Sequence, residues 1–235
     1  MADLTWPSGL SPFRMTFYLQ PHVGGAESPL TRTRKVYTLS APRWVCKLSF
    51  RGVASEIDHP AALVPPLLDS LIIQMAGGAN RMALWDFRRP YPIGLRKYYQ
   101  GFAGQRFTFT GGEDFTGGER FAISGTPEPL NDVADQGASS MVFKGFKPGQ
   151  RPFQTGDYFG GDGRTHLIHS STVADAGGRT TVTFDPPLAS AIGSGRAVTM
   201  KPTSLFRLSG EDAGQNDEEI GQASVYALEF TEDLT

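Results

Sequence analysis

A chain of 235 residues with a formal net charge of −2 has no general pull towards nucleic acid or membrane surfaces. Its length suffices for one large β-domain or two small ones without metal or disulfide staples, and its 39% hydrophobic and 20% charged residues are ordinary for a globular chain. The 28 glycines and 17 prolines are scattered rather than periodic, which excludes a collagen-like repeat, and the single cysteine, Cys46, excludes an internal disulfide.

At the start, Met1-Ala2-Asp3-Leu4 has no basic region followed by an apolar run, so no secretion signal is expected. No stretch approaches the ~18 apolar residues of a membrane span, and a soluble protein made in a cytoplasm is expected. The first clear element is a strand: Phe13, Met15, Phe17 and Leu19 alternate with Arg14, Thr16, Tyr18 and Gln20. A glycine- and proline-containing stretch follows and ends in Arg32-Thr33-Arg34-Lys35. It predicts a long mobile arm over about 22–35. Arg32, Arg34 and Lys35 without interleaved aromatics favour plain solvation or contact with an acidic neighbouring subunit over specific nucleic-acid binding.

Further strands are predicted at 35–40 and from Trp44, where Cys46, Leu48 and Phe50 are opposed by Val45, Lys47, Ser49 and Arg51. Leu67, Leu68, Leu71, Ile72 and Met75 then form one apolar stripe, predicting an amphipathic helix over about 61–76. Pro65 and Pro66 are tolerated only in its first turn, and Gly77-Gly78 can supply a left-handed stop. A strand at 81–87 leads into Trp85-Asp86-Phe87-Arg88-Arg89-Pro90-Tyr91-Pro92, where Trp85, Arg88, Arg89 and Tyr91 either combine arginines with aromatics as interfaces do or pack a corner turned by the two prolines.

Between 101 and 202 the sequence becomes dense in Gly and Thr, with short strands predicted at 105–110, 120–124, 140–144, 165–171, 179–185 and 196–201. Strands at 204–208 and 224–230 follow, the latter alternating Tyr226, Leu228 and Phe230 with Val225, Ala227 and Glu229. The expected architecture is mainly β. One domain is built from 1–100 with 203–235 and carries one flanking helix; 101–202 forms an inserted small β-barrel or sandwich.

No motif specifies catalysis, a cofactor or a metal. His166 and His169 are three apart on a predicted strand, so they point to opposite faces and read as ordinary strand polar residues. Gly156-Asp157-Tyr158-Phe159-Gly160-Gly161-Asp162-Gly163 lacks the spacing of a calcium loop. Asp58-His59 near Ser55 has triad residue types but no nucleophile elbow, and Asp217-Glu218-Glu219 reads as a solvated loop. A non-enzymatic protein is expected.

Charge is distributed unevenly. Residues 1–100 hold 12 Lys/Arg against 6 Asp/Glu, and residues 205–235 hold 1 against 8. Two readings follow: ends that neutralise one another within one fold, or subunits that meet head to tail.

The order of features resembles the minor tail proteins of long-tailed bacteriophages, of the distal-tail or tail-tip type. Pro42-Arg43-Trp44 opens an alternating strand, and the predicted helix ends in Gly77-Gly78-Ala79-Asn80. Leu84-Trp85-Asp86-Phe87-Arg88-Arg89-Pro90, Pro92-Ile93-Gly94 and Gly156-Asp157-Tyr158 follow. Gly178-Arg179-Thr180-Thr181-Val182-Thr183-Phe184-Asp185-Pro186-Pro187-Leu188 and Phe206-Arg207-Leu208 complete the series. The resemblance implies a tail-tube-like β-sandwich with one helix and an inserted β-module. It further implies a homo-oligomeric ring, often a hexamer, that joins the tail tube to tip or hub proteins in the virion. The alternative expectation is a tail-tip module that binds a host surface or carbohydrate, with Trp85 and Tyr91 as part of an aromatic platform.

Overall fold

The computed structural model describes residues 2–53, 63–95, 129–210 and 223–234. The protein is mainly β, with two sheets. Its contacts divide it into two compact units, Met1–Arg88 with Thr203–Thr235, and Arg89–Pro202. Among the described residues no helix is long and apolar enough to cross a membrane.

The first unit is a six-stranded sheet of β1 (Asp3–Leu4), β2 (Arg14–Glu27), β3 (Arg34–Val53), β4 (Arg81–Leu84), β10 (Ser204–Leu208) and β11 (Ala223–Glu232). Their order across the sheet is β1-β4-β10-β11-β3-β2, and every pairing is antiparallel except β1 with β4. Period-two alternation puts Phe17, Trp44, Cys46, Leu48, Phe50, Met82, Leu84, Phe206, Leu208, Tyr226, Leu228 and Phe230 into one buried face. Helix α1 (Val64–Met75) covers it with Leu68, Leu71 and Met75. Its first turn lies close to the sheet: a Cβ on Gly52 would stand 2.9 Å from Pro65 and 2.8 Å from Tyr226, so no larger residue fits.

The helix stops in the left-handed region, as its glycines predict, but one residue early, at Ala76 (φ 47). Asn80 takes up two of the carbonyls left over, bonding Met75 O from its backbone and Gln74 O from its side chain. Residues 54–62 lie outside the described part, and with them the turn near Pro60, Asp58-His59 and Ser55.

The segment predicted as a mobile arm is instead part of a β-hairpin. β2 and β3 pair from Arg14↔Ser49 to Glu27↔Arg34 with two register shifts, so the separate strands predicted at 35–40 and 44–50 are one strand of 20 residues. Pro21 and Pro42 would break a regular ladder, because neither can donate an N–H. A register shift between Gln20 and His22 accommodates both, and a second shift follows before Val23. The chain thus keeps its sheet through two prolines.

The second unit is a five-stranded antiparallel sheet, ordered β5 (Leu130–Asn131), β6 (Ser140–Lys144), β9 (Arg179–Asp185), β8 (His166–Ser171) and β7 (Tyr158–Phe159). Phe143, Phe153, Phe159 and Phe184 are completely buried at its centre with Ile168 and Val182. The strand predicted at 196–201 is only a single bridge, Val198↔Gly160. Those predicted at 105–110 and 120–124 lie outside the described residues.

Candidate functional site

The outer half of the β2–β3 hairpin is a two-stranded ribbon with solvent on both faces. Every residue from 31 to 41 is exposed, as are His22, Val23 and Gly25–Glu27 on the opposite strand. Directly opposed residues share a face, so Val23 and Val36 lie on one side and Tyr37 and Leu39 on the other. These four are about half exposed, and Leu30 at the tip is 93% exposed.

The basic residues singled out in the sequence gather at this tip. Arg32 takes a left-handed conformation (φ 55) in the turn, its N–H bonding Ser28 O at 2.8 Å. Arg34 stands opposite Glu27 in the register and Lys35 opposite Ala26. A mixed pattern of cations and apolar side chains on an uncovered ribbon is the chemistry of a docking element.

The other four named residues are used differently. Trp85 is half-buried and stacks on Phe87 at 4.5 Å, within a cluster in which Phe87 also meets Trp6 at 5.2 Å. Arg88 grips the buried carboxylate of Asp86 with two bonds of 2.9 Å and reaches Phe17 O at 3.1 Å. In the second unit Arg89 donates to Gly156 O (3.0 Å) and to the Tyr158 hydroxyl (2.5 Å), with its guanidinium 4.7 Å above that ring. Tyr91 is 42% exposed, with Lys201 Nζ 5.9 Å from its ring. Arg88 and Arg89 thus direct these contacts into their own units, and Trp85 and Tyr91 belong to different units.

Two polar clasps in the second unit escaped the sequence reading. Asp157, which looked like part of a glycine turn, is buried and accepts three backbone N–H groups: Ile93 at 2.7 Å, Gly94 at 3.0 Å and Gln154 at 2.9 Å. A Cβ on Gly94 would meet Pro152 O at 2.4 Å, so the approach requires glycine. Burial pushes the Asp157 carboxyl up from its ordinary value, against the pull of the three N–H groups and of Arg89.

The second clasp is His166, fully buried between Phe159 and Phe184. Its Nδ1 lies 2.6 Å from Pro186 O and its Nε2 2.9 Å from Asp162 Oδ1, so each ring nitrogen faces an acceptor. Asp162 also accepts from Arg164 N at 3.1 Å and Ala189 N at 2.7 Å. Burial raises the Asp162 carboxyl, but the bond and charge of His166 outweigh it with those N–H groups, and the net shift is downward. His169 is exposed instead, with Nε2 3.5 Å from Asp185 and Nδ1 3.3 Å from Thr183 Oγ1.

Among the described residues no three His, Cys, Asp or Glu side chains gather as a metal site would require. Asp217-Glu218-Glu219 lies outside them. No protein-family model matches the chain, and no curated protein sequence matches it either.

Proposed function

We propose that this chain is a non-enzymatic structural subunit of a bacteriophage tail tip, assembled with copies of itself into a closed ring between the tail tube and the tip or hub proteins. The resemblance noted in the sequence supplies the setting: a virion component, made in the cytoplasm of the bacterial host, in rings that are often hexameric.

One observation supports this reading above the rest, the uncovered β2–β3 ribbon. An isolated two-stranded ribbon is marginal in water, because neither face buries enough apolar surface to offset the ordering of its backbone. Here it extends well past the covered sheet and exposes Val23, Val36, Tyr37 and Leu39 on its two sides. Among the described residues β2 is also the outer strand of its sheet, so its edge lies at the margin where a neighbouring chain can add to it. A closed ring removes such edges by covering each with the next subunit, without needing a different partner. The apolar face beneath α1 is already filled, so the ribbon and edge are where the first unit invites a neighbour.

The test is electron microscopy of the purified chain, with its mass in solution measured by light scattering. Closed rings with a central hole are expected. A strict monomer at every concentration, and no ring when purified tail-tube protein is added as a template, would refute the reading.

A further inference from the structure

We propose that the outer half of the β2–β3 ribbon is the docking surface for the acidic segment 211–222 of a second copy of this chain. The identity of the partner rests on the ring-subunit reading; the pairing of these two regions rests on charge and register within the first unit.

The ribbon is positive. Residues 21–43 contain Arg32, Arg34, Lys35 and Arg43 against Glu27 alone. Segment 211–222 contains Glu211, Asp212, Asp217, Glu218 and Glu219, no Lys or Arg, and one large apolar residue, Ile220. Such opposite charges attract, and the sequence alone leaves open whether they meet within one chain or between two.

The strand register decides this. The ribbon tip is at the Arg34 end of β3, and the segment leaves and rejoins the sheet at the other end. Ala223, where β11 begins, is paired with Val53. On the other side Ser209 N bonds Glu229 O at 3.0 Å, which puts Gly210 level with Leu228 and its partner Leu48. At about 3.3 Å per residue, Leu48 lies about 45 Å along the strand from Arg34. A segment of this length held at both ends and doubled back reaches about 20 Å from its anchors. An arginine side chain adds too little to close the gap. The acidic segment therefore cannot reach the ribbon tip of its own chain, where Arg32, Arg34 and Lys35 lie.

The same separation makes the first unit polar along its strands, positive at one end and negative at the other. Copies arranged head to tail bring the two ends together, and each copy then uses both its surfaces once. A heterologous contact of that kind is what a closed ring needs. Val23 and Val36, exposed on one face of the ribbon, offer Ile220 an apolar seat near the tip cations.

The experiment is sedimentation velocity on the full chain at low and high salt, with folding checked by circular dichroism. Two variants reverse charge: Arg32→Glu/Arg34→Glu/Lys35→Glu at exposed positions, and Asp217→Lys/Glu218→Lys/Glu219→Lys. The wild type is expected to self-associate, more tightly at low salt. Each variant alone should associate at least about 100-fold more weakly, since like charges then face one another. An equimolar mixture should recover association, because the reversed ribbon fits the reversed segment while the two native surfaces fit each other. If both variants associate like the wild type, the pairing is overturned and the ring must close through another surface. If each variant fails and the mixture fails too, the two regions do not touch and the pairing is again overturned. A wild type that never associates would overturn this contact, while the ring reading would fall only if tail-tube protein also failed to template rings.

Discussion

Asp157 offers the sharpest test of how the second unit is held together. Its two carboxylate oxygens serve three backbone N–H groups at 2.7–3.0 Å, two of them on residues 93 and 94, far from it in sequence. In Asp157→Asn one oxygen becomes an NH2 group. The amide will place that group towards Ile93 N, which loses one bond, and keep the oxygen for Gly94 N and Gln154 N, which share it. The cost is one buried N–H left facing a donor, partly offset by removing a buried charge, and comes to about 2 kcal/mol. Asp157→Ala removes all three acceptor contacts and should cost about 4 kcal/mol. For a unit of this size the Asn variant should lower the melting temperature by about 8 °C. All three tryptophans, Trp6, Trp44 and Trp85, lie in the first unit, so their fluorescence is the wrong reporter. Calorimetry and hydrogen exchange at Ile93, Gly94 and Gln154 are the right ones. An Asn variant that melts within about 1 °C of wild type, with those amides still protected, would refute the assigned strength of the clasp.

Three further outcomes are expected. Asp162 is held below its ordinary value in the fold, so its contribution is complete above the unfolded carboxylate value and is lost as pH falls through the folded one. Denaturation midpoints measured from pH 6 down to pH 2.5 should therefore decline more steeply for wild type than for Asp162→Asn, and parallel curves would contradict the His166–Asp162 bond. The Cys46 thiol is fully buried, and burial, reinforced by the Asp86 charge, pushes it far up, so a thiol reagent at pH 8 should label it only through unfolding. Fast labelling of the native protein would show the sheet face to be open. Finally, β4 and β10 are antiparallel neighbours, with Leu84 opposite Ser204, so the second unit is inserted between two strands that already pair. Replacing 89–202 by a short Gly-Ser linker should leave a first unit that unfolds cooperatively by circular dichroism; an unfolded product would refute that independence.

The sequence by itself determined the elements whose two faces differ. Alternation at 13–20, 44–50 and 224–230 marks strands because period two leaves one face apolar, and the stripe through Leu68, Leu71 and Met75 marks a helix for the same reason at another period. The mainly β class with a flanking helix follows from these local patterns. Tertiary structure alone decided what covers each face and which distant groups meet. Residues 35–40 read as a strand, yet the glycines, Pro29 and the basic run over 22–35 read as an arm. Only pairing across the hairpin, with two register shifts around Pro21 and Pro42, makes them a ribbon. Asp157 and His166 gave no signal because their partners, Gly94 and Pro186, are 63 and 20 residues away, and no local spacing encodes such a bond. Likewise the composition shows one basic and one acidic region, but only the fold shows that part of this charge meets within one chain, in the pairs Lys47–Glu229 at 2.7 Å and Arg81–Asp233 at 3.7 Å.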